Sequence, residues 1–462
     1  MRVGAIALLA AVAYAILGLV RLGTYQATSF DLVIVDQAVR GYAGFGPPHV
    51  PVLGVFHGRG MDYLQLADHF SPIYALLAPL YWIHDGPATL IVAQALLFAA
   101  AIPFLWRFTG RVLGVVPAYL VSMAYALSWP IAQAAAFDAH EVMFVPLLTA
   151  IAIERYYARR LLPAGLALFA LLLVKEDMGL MVIGAGLFLL VLGDRLRGVL
   201  TMVYGLAGVV LVRGLLIPAL GGEAKDFWAY GHLGPDAPSA ILAMLRDPIA
   251  AVLLPFGAEA KIDTLFLLAW PTLLLCLLSP LSLMALPHVL VRMLADREQW
   301  WQADFHYSAF TVVILFCAGV DGLARLLRRL RRRDDAALKL TWSVAVLAVA
   351  ITLVPRFALD RLSQPDFYRQ DRAAAAAEAV ARVPAGVTVE AANSLGPALT
   401  SKATVLLWQR ESRGAPWVVA DTSRWEFPFG SAEEQVARVT ELRGQGYAQV
   451  FSRDGYVVLH RP

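Results

Sequence analysis

Between a first apolar run and a long series of others lies a polar segment, residues 21–69, that carries Asp31, Asp36, Arg40, His49, His57, Arg59, Asp62, Asp68 and His69. A loop that merely returned the chain to a membrane would need a few residues, so this length and density of titratable groups point to a site at the membrane surface. Carboxylates there can take a proton from a hydroxyl or hold a cation, and guanidinium or imidazole groups can meet a phosphate. Asp31 and Asp36 stand five residues apart, about 140° around a continuous helix, and so would not share a face. One is free for chemistry while the other orients a neighbour; alternatively both solvate an interfacial helix beside Arg40. In DHFSP, Asp68 to Pro72, a carboxylate and the imidazole of His69 suit a metal or a phosphate, and the same residues suit a helix start capped by Asp68 or Ser71. His49 and His57 sit in a Gly/Pro-rich stretch without ligand spacing and read as loop histidines.

Three further clusters stand at the ends of apolar runs. FDAHE brings Asp138, His140 and Glu141 together; oxygen and imidazole groups this close can take a divalent cation such as Mg or Mn, although the spacing matches no fixed metal motif. KED, Lys175 to Asp177, interrupts apolar sequence, where charge is expensive unless paired or used; Lys175 is the expected phosphate contact, with Glu176 and Asp177 beside it, and a hydrated two-helix turn is the bland reading. In REQWWQADFHY, Trp300 and Trp301 read as interface anchors, while Arg292, His306 and Tyr307 are expected to line a polar groove. No Walker loop, GxSxG elbow, HExxH or paired CxxC occurs, which argues against an ATPase pump, a serine hydrolase of that type and a zinc metalloprotease.

The elements that must position these groups are apolar helices. The 462 residues are 59% hydrophobic and 16% charged, with a mean hydropathy of +0.64, and the apolar excess comes in runs suited to lipid. The fold expected is a polytopic α-helical membrane protein of about eleven transmembrane helices, counting residues 264–294 as two short passes and leaving the Pro-broken run 70–83 as an interfacial or re-entrant segment. Arginine clusters at residues 107–111, 155–160, 195–197 and 325–333 belong on one, cytoplasmic, side. That parity keeps the N-terminus inside, with residues 4–20 as a retained first helix, and puts every cluster above outside. The net charge of +3 reports topology and gives no sign of nucleic-acid binding. Cys276 and Cys317 fall in apolar runs and read as buried thiols. Beyond residue 356 the pattern changes: GVTVEAANSL, TVLLWQ, PWVVADTS and AQVFSRDGYVVLH read as strands, the last holding an Asp454-Gly455 hairpin turn, and DRAAAAAEAVARV and SAEEQVARVTELRGQ read as helices. Residues 1–356 are thus expected to be the transmembrane domain and 357–462 a small extracytoplasmic α/β domain.

The residues FDLVIVDQ, HFSP, FDAHE, KEDMGL and HYS, in this order between apolar runs, resemble the domain of unknown function 2079 family of predicted membrane proteins. That family resembles the GT-C membrane glycosyltransferases. The resemblance implies a GT-C-like fold, a polyprenyl-phosphate sugar donor, a glycan, lipid or protein acceptor at the outer face of the cytoplasmic membrane, a catalytic acid in the first outer loop at Asp31 or Asp36, and in many cases a divalent cation. A transporter or flippase would use the same outer groups as a gate, but would place charge deep in the bundle and show related halves, and no repeat is found. A sensor with an outer ligand-binding domain is weakened by the lack of an inner signalling domain. A reporter active only outside the cytoplasm is expected to give signal when fused after Pro462 and none when fused near Arg331; the reverse pattern overturns the topology.

Overall fold

The computed structural model describes residues 3–223 and 226–462. Among these, five helices are long and apolar enough to cross a membrane: Val3–Gly23, Pro87–Val112, Val115–Ala136, Arg195–Ala219 and Ala336–Arg356. A sixth results if the bent pair Ala237–Arg246 and Pro248–Phe256 is one span. Leu161–Leu171, Gly179–Val191 and Ser282–Leu294 are apolar but only 11 to 13 residues long. A full span takes about 20 residues, so these three fall short of the length that the count of about eleven presumed.

Local chemistry explains where the helices stop. Asp247 ends one helix of the bent pair and caps the next, its side chain accepting from the Ala250 N–H at 2.9 Å, while Pro248 cannot extend the first; the two axes meet at 107°. Within 264–294 the chain passes from Glu259–Ala269 through tight turns, with Leu273 and Leu274 in left-handed backbone at φ 53° and 62°, before Ser282–Leu294 begins. The 70–83 run is a 3-10 turn, Pro72–Leu77, followed by one helical turn, Ala78–Tyr81. Its exposed Leu76, Trp82 and Ile83, with Trp82 stacked on Phe45 at 5.5 Å, form an apolar rim suited to a membrane interface.

The C-terminal region forms a five-stranded sheet: β1 Thr388–Ala391, β2 Thr404–Leu407, β3 Trp417–Asp421, β4 Ala448–Arg453 and β5 Tyr456–His460, in the order β2-β1-β3-β5-β4. β1 pairs parallel with β2 and β3, and β5 pairs antiparallel with β3 and β4. Helices Ala373–Arg382 and Ala432–Gly444 pack with it. Val389, Val405 and Val419 of the sheet share one hydrophobic cluster with Val33, Ala38, Val52 and Leu53 of the first polar loop. That loop therefore packs on the sheet as well as on the helices, and the structure joins the two ends of the chain.

Helices Gly179–Val191 and Arg195–Leu211 approach closely: a Cβ on Gly205 would meet the Gly179 carbonyl oxygen at 2.6 Å and the Ile183 nitrogen at 2.9 Å. Because these are backbone atoms, the helices must part to admit a side chain. Gly205→Leu is expected to lower the melting temperature clearly, whereas Gly214→Leu, with open space at its Cβ, should cost far less; equal effects would show that the close packing does not matter.

Candidate functional site

Asp31 lies in a kinked turn, Ser29–Val33, where its own backbone takes φ 95° and ψ −68°. A non-glycine residue there is strained. It is held from both sides. Upstream, Asp138 accepts the Thr28 backbone N–H at 2.8 Å and the Thr28 hydroxyl, and it lies 3.8 Å from Arg21. Downstream, Asp36 is fully buried and accepts from Tyr81 at 2.6 Å, Thr400 at 2.7 Å and Arg40 at 3.1 Å, while Arg40 also pairs with Asp85 at 2.5 Å. The break in the turn means that the geometry of one continuous helix does not govern Asp31 and Asp36.

Asp31 opens on a cavity of about 700 Å³. His69, His140, Glu141, Lys175, Glu176, Asp177, Arg292, His306 and Tyr307 line it together with Asp31. Apart from Asp31, in the kinked turn, and Arg292, in the last turn of helix Ser282–Leu294, they stand where a helix ends and the chain turns, at residues 69–71, 137–144, 172–178 and 302–310. His140 faces carboxylates on both sides, Asp31 at 3.2 Å from Nε2 and Glu141 at 2.9 Å from Nδ1. Lys175 donates to the other Glu141 oxygen at 2.7 Å, and Tyr74 donates to Glu141 at 3.1 Å. His69 contacts Glu176 at 2.9 Å, and Asp177 lies 3.8 Å from His288.

Burial works against charge on His140, but the Asp31 and Glu141 carboxylates outweigh it and carry its pKa up to about 10. Burial likewise raises a carboxyl pKa, yet Lys175 and His140 hold Glu141 well below the usual carboxylate range, and His69 and Lys175 hold Glu176 low. Burial dominates at Asp177 and lifts it to about 6, with Lys175 opposing. Among the lining atoms without a hydrogen-bond partner are Glu176 Oε2, Asp177 Oδ1, Arg292 Nη1 and both ring nitrogens of His306. Buried polar atoms are normally satisfied, so this set suits a ligand rich in both donors and acceptors.

Several expectations are corrected. Asp36 and Arg40 do not line the cavity; they close a buried network between the first loop, the 78–85 segment and the sheet domain. Asp138, His140 and Glu141 do not converge as metal ligands. Asp138 is bound to Thr28, both Glu141 oxygens and the His140 nitrogens face protein partners, and among the described residues no group of three or more His, Cys, Asp or Glu is arranged to hold a metal. Trp301 is buried, donating to the Ala295 carbonyl oxygen, and Trp300 lines the cavity, so neither is an interface anchor. His57, set aside as a loop histidine, lines the cavity.

Sequence reasoning also passed over His288 and Arg213. Arg213 sits in a π-helical turn, Val212–Leu216, half-buried, and lines the cavity with no hydrogen bond or ion pair among the described residues. A charge inside an apolar run was a readable signal, the same that picked out KED. Beside it Leu206 and, across the gap, Ile241 line the cavity while 55% and 54% exposed. Exposed apolar side chains of helices Arg195–Leu211 and Ala237–Arg246 thus edge the cavity.

The raised pKa of His140 fixes a sign. Its ion contacts contribute stability that is complete below the unfolded value near 6.5 and lost as pH rises toward 10. The melting-temperature gap between wild type and His140→Gln is therefore expected to be largest below pH 6.5 and to shrink steadily to pH 10; a gap that widens with pH would show His140 to be neutral.

No curated protein matches the chain in sequence. Among solved structures, ArnT of Cupriavidus metallidurans, crystallised with undecaprenyl phosphate, is 12% identical with a TM-score of 0.54, over 99% of this chain and 98% of that one. The oligosaccharyltransferase AglB of Archaeoglobus fulgidus, in complex with an inhibitory peptide and a dolichol-phosphate, is 11% identical with a TM-score of 0.48, over 100% of this chain and 74% of that one. The likeness to ArnT is one of fold. A family model described as a predicted membrane protein family, DUF2079, matches residues 21–458, and the chain belongs to that family.

Proposed function

We propose that this membrane protein is a glycosyltransferase that moves a sugar from a polyprenyl-phosphate donor to an acceptor hydroxyl at the outer face of the cytoplasmic membrane. The observation that carries the reading is a cavity that joins three unlike surfaces: the Asp31 carboxylate, Arg213 with no hydrogen bond or ion pair among the described residues, and an apolar edge on two helices, Arg195–Leu211 and Ala237–Arg246. A lipid-linked sugar phosphate has three matching parts. Its tail lies along the apolar edge, its phosphate meets Arg213, and its sugar hydroxyls reach the free oxygens of Glu176 and Asp177 and the free nitrogens of Arg292 and His306. The GT-C-like fold, shared with a protein crystallised with undecaprenyl phosphate, supports the same reading.

In the reaction Asp31 takes the proton of the acceptor hydroxyl as its oxygen attacks the anomeric carbon. The bond from that carbon to the phosphate oxygen breaks, and the polyprenyl phosphate leaves with its charge balanced by Arg213. His140 holds Asp31 in place and keeps a positive charge beside it. Lys175, the phosphate contact expected from the sequence, is neutralised by Glu141 and serves instead to hold the array together. No step requires a bound cation at Asp138, His140 and Glu141. The N-terminus lies inside and residues 357–462 outside on this reading, which puts the cavity on the outer side.

Purified protein in nanodiscs, given radiolabelled sugars on undecaprenyl phosphate, is expected to transfer label to an envelope acceptor fraction. Asp31→Asn should lower kcat about 100-fold or more. Arg213→Ala should chiefly raise the donor KM, about tenfold or more, as loss of a charge-assisted hydrogen bond predicts. Full transfer by Asp31→Asn removes the base; movement of the intact donor across the bilayer, without transfer and unaffected by Asp31→Asn, would establish a flippase.

A further inference from the structure

Two stretches 364 residues apart meet at the strained turn. The buried Asn393, just after β1, accepts through Oδ1 from the Ser29 N–H at 3.0 Å and the Phe30 N–H at 3.1 Å. Its own carbonyl oxygen accepts from the Ser29 N–H at 2.7 Å and the Ser29 hydroxyl at 2.9 Å. These are the backbone donors immediately before Asp31, which otherwise would be drawn into an ordinary helical turn. Gly396 presses on the same point: a Cβ there would reach within 3.1 Å of the Ser29 Cβ and closer still to its hydroxyl. The next contacts between the segments, Thr400 to Asp36 at 2.7 Å and Gln37 to the Val405 carbonyl oxygen at 2.9 Å, lie on the far side of the turn.

We propose that the C-terminal sheet domain is part of the catalytic centre, with Asn393 as the positioning residue that holds the Ser29–Phe30 backbone so that Asp31 projects into the cavity against His140. The inference rests on Asp31 being the base. It assigns the sheet domain a task distinct from acceptor binding. Four hydrogen bonds converge on two consecutive residues, and the residue they precede is the one with reversed backbone. A domain that merely covered the membrane region would have no need to grip the chain at this point. Asparagine suits the task because its amide oxygen can accept two N–H groups.

The test separates position from folding and from the assigned activity. Asn393→Leu removes the side-chain acceptor, Asn393→Asp keeps an oxygen in its place, and Thr400→Val weakens the same domain contact without touching residues 29–31. Carboxyl footprinting of Asp31 with carbodiimide and glycine ethyl ester, read by mass spectrometry, reports where the side chain stands whatever reaction the protein performs. Labelling of Asp31 is expected to change at least threefold in Asn393→Leu, and to stay near wild type in Asn393→Asp and Thr400→Val. In the transfer assay Asn393→Leu should lose kcat with little change in donor KM, and Asn393→Asp should recover most of it. If Asn393→Leu does not fold, Gly396→Ala, which pushes Ser29 by volume alone, takes its place with the same expectation. A folded Asn393→Leu or Gly396→Ala with wild-type Asp31 labelling overturns the inference. Changed labelling together with an unaffected Asp31→Asn enzyme instead overturns the role of Asp31 and leaves the positioning intact.

Discussion

Charges withdrawn from water persist only where each meets its opposite, and at this site Glu141 is where they meet. Its two oxygens serve Lys175, His140 and Tyr74, which belong to three separate turns of the chain. Removing one member of such a buried pair leaves the other uncompensated, at a cost of about 3–5 kcal/mol. The turns at 72–77, 140–144 and 175–177 are therefore fixed to one another by charge as well as by packing. The pairing also defines what is left over. Lys175 and Glu141 are spent on each other, and the groups open to a ligand among the described residues include Arg213, one oxygen each of Glu176 and Asp177, one nitrogen of Arg292 and the ring of His306.

Three aspartates near the start of the chain illustrate how environment divides labour among identical side chains. Asp138 and Asp36 are almost fully buried and saturated with donors. Asp31 retains 29% side-chain exposure and an ion contact to His140. The first two tie the polar loop to the helices and to the sheet, on either side of a residue whose positive φ carries strain of about 1–3 kcal/mol. Strain of this kind persists only where the surroundings over-determine it, and here four hydrogen bonds that Asn393 accepts and two that Thr28 donates to Asp138 surround the turn.

The sequence made legible what depends on local pattern. The five strands stand where alternating and β-branched runs put them, with Asp454 and Gly455 turning β4 into β5 at φ 49° and 84°. The clustering of polar residues at the ends of apolar runs was legible too, because unpaired charge is not tolerated along a lipid-facing helix. Arg213 was legible by the same rule, yet its apolar neighbours masked it. Partners were not legible. Nothing near Asp36 foretells Thr400, and nothing in KED foretells that Lys175 turns to Glu141, 34 residues away. Nor does the sequence around Asp31 announce a reversed backbone, or that Asn393 meets the two residues before it.

The distribution of charge along the helices bears on whether such a molecule moves its substrate or transforms it. The 3-10 turn that begins at Glu141 leads into helix Val145–Tyr157, which places Glu154 about 20 Å away along its rise. Glu154 is closed by Arg111 at 3.1 Å and Arg155 at 2.7 Å. Asp321, in the helix that follows His306, is closed by Ser279 at 2.6 Å and Arg325 at 2.5 Å. Glu154 and Asp321 are thus each paired with arginine. A carrier that handed a charged headgroup from one side to the other would need receptive groups at both ends of its path. With free polar atoms gathered where helices 129–136, 161–171 and 282–294 give way to turns, and an apolar edge beside them, the architecture fits a substrate that stays anchored in one leaflet while its headgroup reacts.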